Sequence, residues 1–243
     1  MSQGILNIVA TPIGNLEDIT LRALRALKEA DFVLCEDTRQ TRKILDHYQI
    51  KTPTISYHQH SDTLKVDKII ALLSDGKNLA LVTDAGTPGI SDPGGKLVSL
   101  VREGLGDQAV IAAVPGVSAL VTAVSLAGQG FDRFLFLGFL PHKKGRQTML
   151  KEVIASENSV VMYESKHRII KLLEELANLE KKSDTGKKSD VGKKSPAPLS
   201  LIVARELTKM HESVYFGSPQ EIQQELESRE GNLKGEFVVL VKK

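Results

Sequence analysis

Short apolar runs alternate with amphipathic stretches along almost the whole of this 243-residue chain, and that alternation is the strongest limit on its fold. Strand-like runs fall at residues 5–10, 31–35, 54–57, 78–82 and 110–113, with helical patterns at 20–29, 39–47, 64–74 and 95–103 between them. Strands separated by helix-length crossovers predict a parallel α/β layout. After Pro115-Gly116 the pattern resumes, with helices at 118–126, 145–156, 167–179 and 219–228 and strands at 134–138, 160–163, 199–204, 213–216 and 236–241. The fold class expected is therefore α/β, as two α/β domains over 1–113 and 114–243, with a ligand cleft between them.

One loop stands out within that layout. Residues 83–95 read TDAGTPGISDPGG and directly follow the apolar run LALV at 79–82. A glycine-rich loop at the carboxyl end of a buried parallel strand lets backbone amides and carbonyls approach a ligand closely, and open α/β sheets bind ligands at that edge. A plain strand-to-helix turn, with Asp92 as the cap and Pro93 in the first helical turn, accounts only for the last part of the loop.

Composition narrows the class further. No apolar run approaches the ~20 residues of a membrane span, and residues 1–4 lead straight into a strand, so a cytoplasmic protein with no membrane partner is expected. Cys35 is the only cysteine, which excludes a disulfide framework and a thiolate metal cluster, and its apolar neighbours predict a buried structural residue. No metal is expected. The formal charge of +2 reflects residues 181–194, where six lysines and two aspartates contribute +4 and leave about −2 for the rest. Any basic surface must therefore be a local patch. Residues 181–198 are three near-copies of a Lys-Lys-Ser unit of six residues with one large apolar side chain, a composition that predicts a flexible insertion.

No Gly-x-Gly-x-x-Gly follows the first strand, where the sequence reads ATPIGN, and no Walker loop occurs, which weakens ordinary dinucleotide and nucleoside-triphosphate readings. Ordered blocks nevertheless run through the chain: VATPIGNLEDITLRALRAL at 9–27, CEDTRQTRKIL at 35–45, SYHQH at 56–60, LVTDAGTPGISDPG at 81–94, VPGVSAL at 114–120, FLGFLP at 136–141, YESKHRI at 163–169, ARELTK at 204–209 and KGEFVVLV at 234–241. In order and spacing these blocks resemble the tetrapyrrole methylase superfamily of S-adenosylmethionine-dependent enzymes (class III methyltransferases), and within it the branch that methylates the 2′-hydroxyl of a cytidine in small-subunit ribosomal RNA. Two departures are the insertion at 181–198 and Lys166, where similar proteins usually carry proline.

The resemblance implies S-adenosylmethionine held in the cleft by Pro12, by Asp84, Ala85, Gly86 and Thr87, by Gly116, Val117 and Ser118, and by Tyr163 and Ala204. It further implies catalytic roles for Glu36, Asp37 and Arg39, an RNA acceptor in the 16S RNA of the assembled 30S subunit, and a homodimer. Arg39, Arg42, His58, Arg168 and Arg205 are the expected RNA contacts, with Glu164, His167 and Glu206 as further proton-transfer candidates. Local roles compete for several of these residues. Asp37 suits an N-cap for the helix that follows, Ser165 suits another, and Arg22 and Arg25 fit a solvated helix face. With no tryptophan and 5% aromatic residues, recognition of RNA by shape and backbone is expected, with weak activity on naked RNA. A tetrapyrrole acceptor and an idle sensor of S-adenosylmethionine remain the alternatives at this stage.

Overall fold

The computed structural model describes residues 3–58, 63–128, 130–185, 199–229 and 231–242. The chain divides into two compact units, Met1–Ser118 and Ala119–Lys243.

The first unit is a five-stranded parallel sheet in the order β3-β2-β4-β1-β5, built from β1 (Ile5–Val9), β2 (Phe32–Cys35), β3 (Thr54–Ser56), β4 (Leu79–Leu81) and β5 (Val110–Val114). Its crossovers are α1 (Leu21–Glu29), α2 (Thr38–His47), α3 (Thr63–Ser74) and α4 (Gly94–Leu105). Side chains alternate across a strand, so each strand feeds two cores. Val33, Cys35, Ala80 and Val82 pack under Ala23 and Leu27 of α1 and Leu45 of α2. Leu34, Leu79 and Leu81 pack under Val66, Ile69 and Leu73 of α3 and Leu97 and Val101 of α4. A strand buried on both faces needs an unbroken apolar run, which is why LALV carries no polar residue. Cys35 is fully buried, as its neighbours predicted, and burial pushes its thiol pKa up.

This winding decides where a ligand fits. The chain leaves β1 and β2 toward the α1/α2 face but leaves β4, which lies between them, toward the α3/α4 face. Adjacent strands whose connections depart in opposite directions leave a crevice at their carboxyl ends. The β4 loop occupies that position from both sides.

The second unit has a five-stranded sheet in the order β6-β7-β10-β8-β9, formed by β6 (Phe134–Phe139), β7 (Ser159–Ser165), β8 (Ser200–Arg205), β9 (Ser213–Gly217) and β10 (Glu236–Lys242). Only β6 and β7 are parallel; β10 inserts antiparallel between β7 and β8, and β9 is antiparallel to β8. Residues 206–212 join β8 to β9 without a helix, a connection that permits only antiparallel pairing. One face is covered by α6 (Arg146–Ala155), α7 (Ile169–Thr185) and α8 (Pro219–Glu227), which bury Met162, Val203, Phe237 and Val239 with Leu150, Leu172 and Ile222. Helix α5 (Ala119–Ala127) lies along β10. Helix α8 opens with a capping box between Ser218 and Glu221 and with Pro219 in its first turn, a start signal present in the sequence.

The helix expected over 167–179 runs on to Thr185, so the first five residues of the lysine-rich stretch are helical and not part of a flexible insertion. The rest of that insertion, 186–198, lies outside the described residues.

Met162 sits fully buried in β7 under the helices of the second unit. Met162→Ala is expected to destabilise that unit by about 2–5 kcal/mol, the usual range for emptying such a core position. Urea unfolding with a probe in that unit measures it.

Candidate functional site

The expected site residues of the first unit gather at the carboxyl edge of its sheet, and the β4 loop is what they share. Thr11, just past β1, exchanges two backbone hydrogen bonds with Gly86: its N–H donates to Gly86 O at 2.9 Å, and Gly86 N–H donates to Thr11 O at 3.0 Å. The Thr11 hydroxyl also donates to Thr83 O at 3.1 Å. Asp37 N–H, past β2, donates to Asp84 Oδ1 at 3.2 Å. The Thr87 hydroxyl donates to Val117 O, past β5, at 2.9 Å. One loop thereby ties the ends of β1, β2 and β5 together.

Two glycines sit at close approaches in this arrangement. Gly86 has φ +86°, in the left-handed region, and a Cβ there would stand 3.4 Å from Ile13 Cγ2. A Cβ on Gly116 would stand 3.1 Å from the Cβ of Ala10, so a side chain there would press on the end of β1 by a few tenths of an ångström. Pro12 is buried beside Thr11, while Asp84, Ala85, Pro115 and Gly116 are exposed along the rim. Asp92 does not cap α4 as N-cap; Pro93 takes that place. The Asp92 carboxylate instead accepts from Gly89 N–H at 2.8 Å and Gly94 N–H at 2.7 Å, pinning the far half of the loop. Ser91, at φ +64°, sits within the pinned segment.

The electrostatics of this edge are negative. Glu36, half-buried past β2, has its pKa raised by burial first and then by the charges of Asp84 and Asp92, while His58 pulls it down. Asp37 behaves in the opposite way. It is the N-cap of α2, accepting from Arg39 N–H at 2.8 Å, and it also holds the Arg39 guanidinium, with Nη2 to Oδ2 at 2.7 Å. The Arg39 side chain and then its backbone N–H lower the Asp37 pKa to about 2. These two neighbouring carboxyls, read alike from the sequence, thus differ in what they can do. Glu36 is poised to take up a proton or to face a cation, whereas Asp37 is a committed anion.

Arg39 is exposed, and Arg42 one turn on reaches Asp46 at 4.0 Å, so both present cationic groups along the outer side of α2. His58 follows β3, half-buried. His60 lies outside the described residues. No group of three or more His, Cys, Asp or Glu side chains that would hold a metal occurs among the described residues.

In the second unit, Tyr163 of β7 and Ala204 of β8 both pair with Val238 of the intervening β10. Directly paired residues of antiparallel strands point to the same face, so the two expected cofactor residues share a row across the sheet, opposite the face carrying Met162, Val203 and Val239. The Tyr163 hydroxyl accepts from Leu120 N–H at 3.2 Å, and its ring meets Phe136 edge-on and Phe139 at a tilt, at centroid distances of 5.0 and 5.5 Å.

Four expectations are corrected here. Arg205, expected at the RNA, is buried and spends its guanidinium on its own chain: Lys234 O at 2.8 Å, His211 O at 3.0 Å and Gly231 O at 2.7 Å. Arg168, expected likewise, donates to Leu140 O at 2.8 Å and pairs with Glu164 at 2.7 Å. Glu164 is itself buried between Arg168 and Arg146, on the helix-covered face with Phe237, so it is an ion-pair partner and not a proton acceptor. Glu206 sits at φ +51° with Lys209 at 2.9 Å and accepts from Glu236 N–H, contacts that outweigh its burial and lower its pKa. Sequence patterning cannot tell an arginine aimed at phosphate from one aimed at backbone carbonyls, because both sit beside strand ends. Thr11 is the residue the sequence reading missed, although it directly precedes Pro12 in the TPIGN block.

The profile of the tetrapyrrole (corrin/porphyrin) methylases matches residues 6–223. The chain belongs to the tetrapyrrole methylase family. Members of that family are methyltransferases whose methyl donor is S-adenosylmethionine. Among curated relatives, the "ribosomal RNA small subunit methyltransferase I" of Synechocystis sp. is 41% identical over 239 residues, covering 98% of this chain and 78% of the relative. The protein of the same name from Hydrogenobaculum sp. is 39% identical, covering 98% of this chain and 95% of the relative. Among solved structures, a diphthine synthase matches with TM-score 0.70 at 14% identity, covering 98% of this chain and 90% of that one. The uroporphyrin-III-C-methyltransferase of Thermus thermophilus matches with TM-score 0.61 at 20% identity, covering 99% and 95%. At such identities the structural likeness establishes the family fold alone.

The residues fit the family cofactor. S-adenosylmethionine carries a sulfonium, and the carboxyl edge of the first sheet offers Glu36, Asp84 and Asp92 together with open backbone in the 83–90 loop. Burial raises the Glu36 pKa first, and the charges of Asp84 and Asp92 add to it, so this edge carries carboxylates that suit a sulfonium.

Arg205→Met is expected to lower stability by about 2–4 kcal/mol, because three carbonyls lose their charged donor in a buried setting. Its effect on RNA affinity is expected to stay under threefold. Denaturant unfolding and RNA binding by the same variant separate the two roles.

Proposed function

We propose that this protein uses S-adenosylmethionine to methylate the ribose 2′-hydroxyl of a cytidine in 16S ribosomal RNA, acting on the assembled 30S subunit in the cytoplasm as a homodimer. The observation that carries the reading is identity near 40% along almost the entire chain with ribosomal RNA small subunit methyltransferases. The blocks at 35–45, 56–60 and 204–209, which distinguish the RNA branch from tetrapyrrole-modifying relatives, support the ribose acceptor.

Bound at the carboxyl edge, S-adenosylmethionine supplies an electrophilic methyl group on a positively charged sulfur. The chain has two tasks around that group. The first is to hold donor and acceptor in line, a positioning effect that can account for several kcal/mol of the barrier. Pro12, residues 84–87 and residues 116–118 of the first unit serve it through the hydrogen bonds that centre on the β4 loop. The second task is to accept the hydroxyl proton. Glu36 suits this better than Asp37, since a carboxyl with a raised pKa is the stronger base and one held at about 2 is a poor one. Asp37 fixes Arg39 and the start of α2. Arg39 and Arg42 on α2, beside Asp37 and Asp46 but with exposed guanidiniums, are the proposed phosphate contacts, with His58 past β3.

Glu36 must be ionised to take the proton, so turnover is expected to fall as pH drops through its pKa, with a midpoint above that of an ordinary glutamate. Glu36→Gln is expected to lower kcat by about 10²–10⁴-fold and to abolish that acid limb. A pH–rate profile of label transfer to 30S subunits decides it; an unchanged acid limb in the variant would assign the base elsewhere.

The reading as a whole is tested by mapping ribose methylation in small-subunit RNA from cells with and without the protein. One cytidine 2′-O-methyl group is expected to vanish and to return when purified protein and S-adenosylmethionine are added to assembled 30S subunits. An identical map in both cells would refute it.

A further inference from the structure

Two loops of the second unit leave the same edge of its sheet, because β6 and β7 are its one parallel pair and both loops follow their carboxyl ends. The loop after β6 reads Pro141-His142-Lys143-Lys144-Gly145, and the turn after β7 reads Lys166-His167. A buried cluster clamps them to each other. Arg168, from the β7 side, donates to Leu140 O at 2.8 Å, while Arg146, which closes the β6 loop, donates to Pro141 O at 3.4 Å. Glu164 is shared by both guanidiniums, at 2.7 Å from Arg168 and 3.5 Å from Arg146, and Glu175 holds Arg146 from the other side at 2.8 Å. Arg146 and Glu164 are almost wholly buried.

The charge count of this arrangement is what gives it a use. Two buried guanidiniums face two carboxylates, so the clamp is neutral. His142, Lys143, Lys144, Lys166 and His167 are all exposed at its surface, and no carboxylate pairs with the three lysines among the described residues. Helix α6 begins at this spot with Gly145 as its N-cap, which supplies no side chain to the first-turn amides. Exposed lysines normally sit among acidic neighbours. Here neither loop carries an acid, and the nearby carboxylates of Glu164 in β7 and Glu175 in α7 are spent on the arginines of the clamp, which holds three ammonium groups on two loops.

We propose that the 141–145 and 166–167 loops form a second RNA-docking surface, which takes the phosphate backbone of the substrate RNA away from the methyl-accepting nucleotide. The inference rests on the RNA reading above and extends it to a unit that supplies no catalytic group. It assigns Arg146, Arg168, Glu164 and Glu175 as positioning residues for the loops, and it gives Lys166, where similar proteins usually carry proline, a contact of its own. Lysines act here as point charges on phosphates, without reading bases.

The test is the triple variant Lys143→Gln/Lys144→Gln/Lys166→Gln, assayed by methyl transfer to assembled 30S subunits across a salt series, with S-adenosylmethionine binding measured by calorimetry. The expected result is a rise of about tenfold or more in KM for the subunit and a flattening of the log KM against log salt slope by about 2–3, from the loss of three phosphate contacts. kcat at saturating subunit and cofactor affinity should stay as in the parent protein, and the corresponding Lys→Arg triple should keep the parent slope. An active parent with an unchanged KM and slope in the triple variant overturns this inference and leaves the RNA reading standing. A parent enzyme that methylates no RNA overturns both.

Discussion

The pair of backbone hydrogen bonds between Thr11 and Gly86 is the constraint on which the candidate site depends. It joins the loops after β1 and β4, two strands that are neighbours in the sheet but whose chains leave it toward opposite faces. Without that pairing the two loops would diverge with their crossover helices. With it, the β4 loop is held across the crevice, where Asp84 receives the Asp37 amide and Thr87 reaches Val117. Gly86 makes the pairing possible because its left-handed backbone lets the loop turn back toward Thr11.

From that one crossing follows the division of labour among the acidic groups. The Asp37 side chain is oriented by its capping bond to Arg39 and is fully ionised; the same residue's amide positions Asp84. Glu36, one residue earlier, is half-buried and also meets the fields of Asp84 and Asp92, so its proton is held more tightly. Two adjacent carboxyls thus acquire opposite chemical characters, Asp37 from local hydrogen bonds and Glu36 from burial and charges that the fold brings to it. The result is an edge with surplus negative charge beside open backbone, suited to a cationic cofactor, bordered by the exposed cations of α2, suited to a polyanionic substrate.

The second unit solves a different problem. Its arginines at strand ends are turned inward, Arg205 onto backbone carbonyls and Arg168 and Arg146 onto Glu164, where they fix loops in place of meeting solvent. Buried charge of this kind is costly unless every partner is present, and it contributes definition more than stability. What it defines is the placement of exposed lysines that have no acid beside them. Basic surface in this protein is therefore local and built, in keeping with a chain whose overall charge is close to neutral.

The sequence by itself determined the elements and their order. Period-two and period-3.6 patterning placed ten strands and eight helices within a residue or two for most, because each face of the first sheet needs apolar side chains in a fixed alternation whatever the rest of the chain does. The glycine-rich loop also marked the sheet edge at which the ends of β1, β2 and β5 are tied together. Tertiary structure alone decided three things. The second sheet became mostly antiparallel, since the strand that fills its centre, β10, arrives from the far end of the chain. Arg168 and Arg205 became internal struts, since the carbonyls and carboxylates they serve are brought to them from up to 29 residues away. Glu36 acquired its raised pKa, since burial and the charges of Asp84 and Asp92 reach it only through the fold. In each case the deciding partner is remote in sequence, and local propensity carries no information about a contact that long-range packing creates.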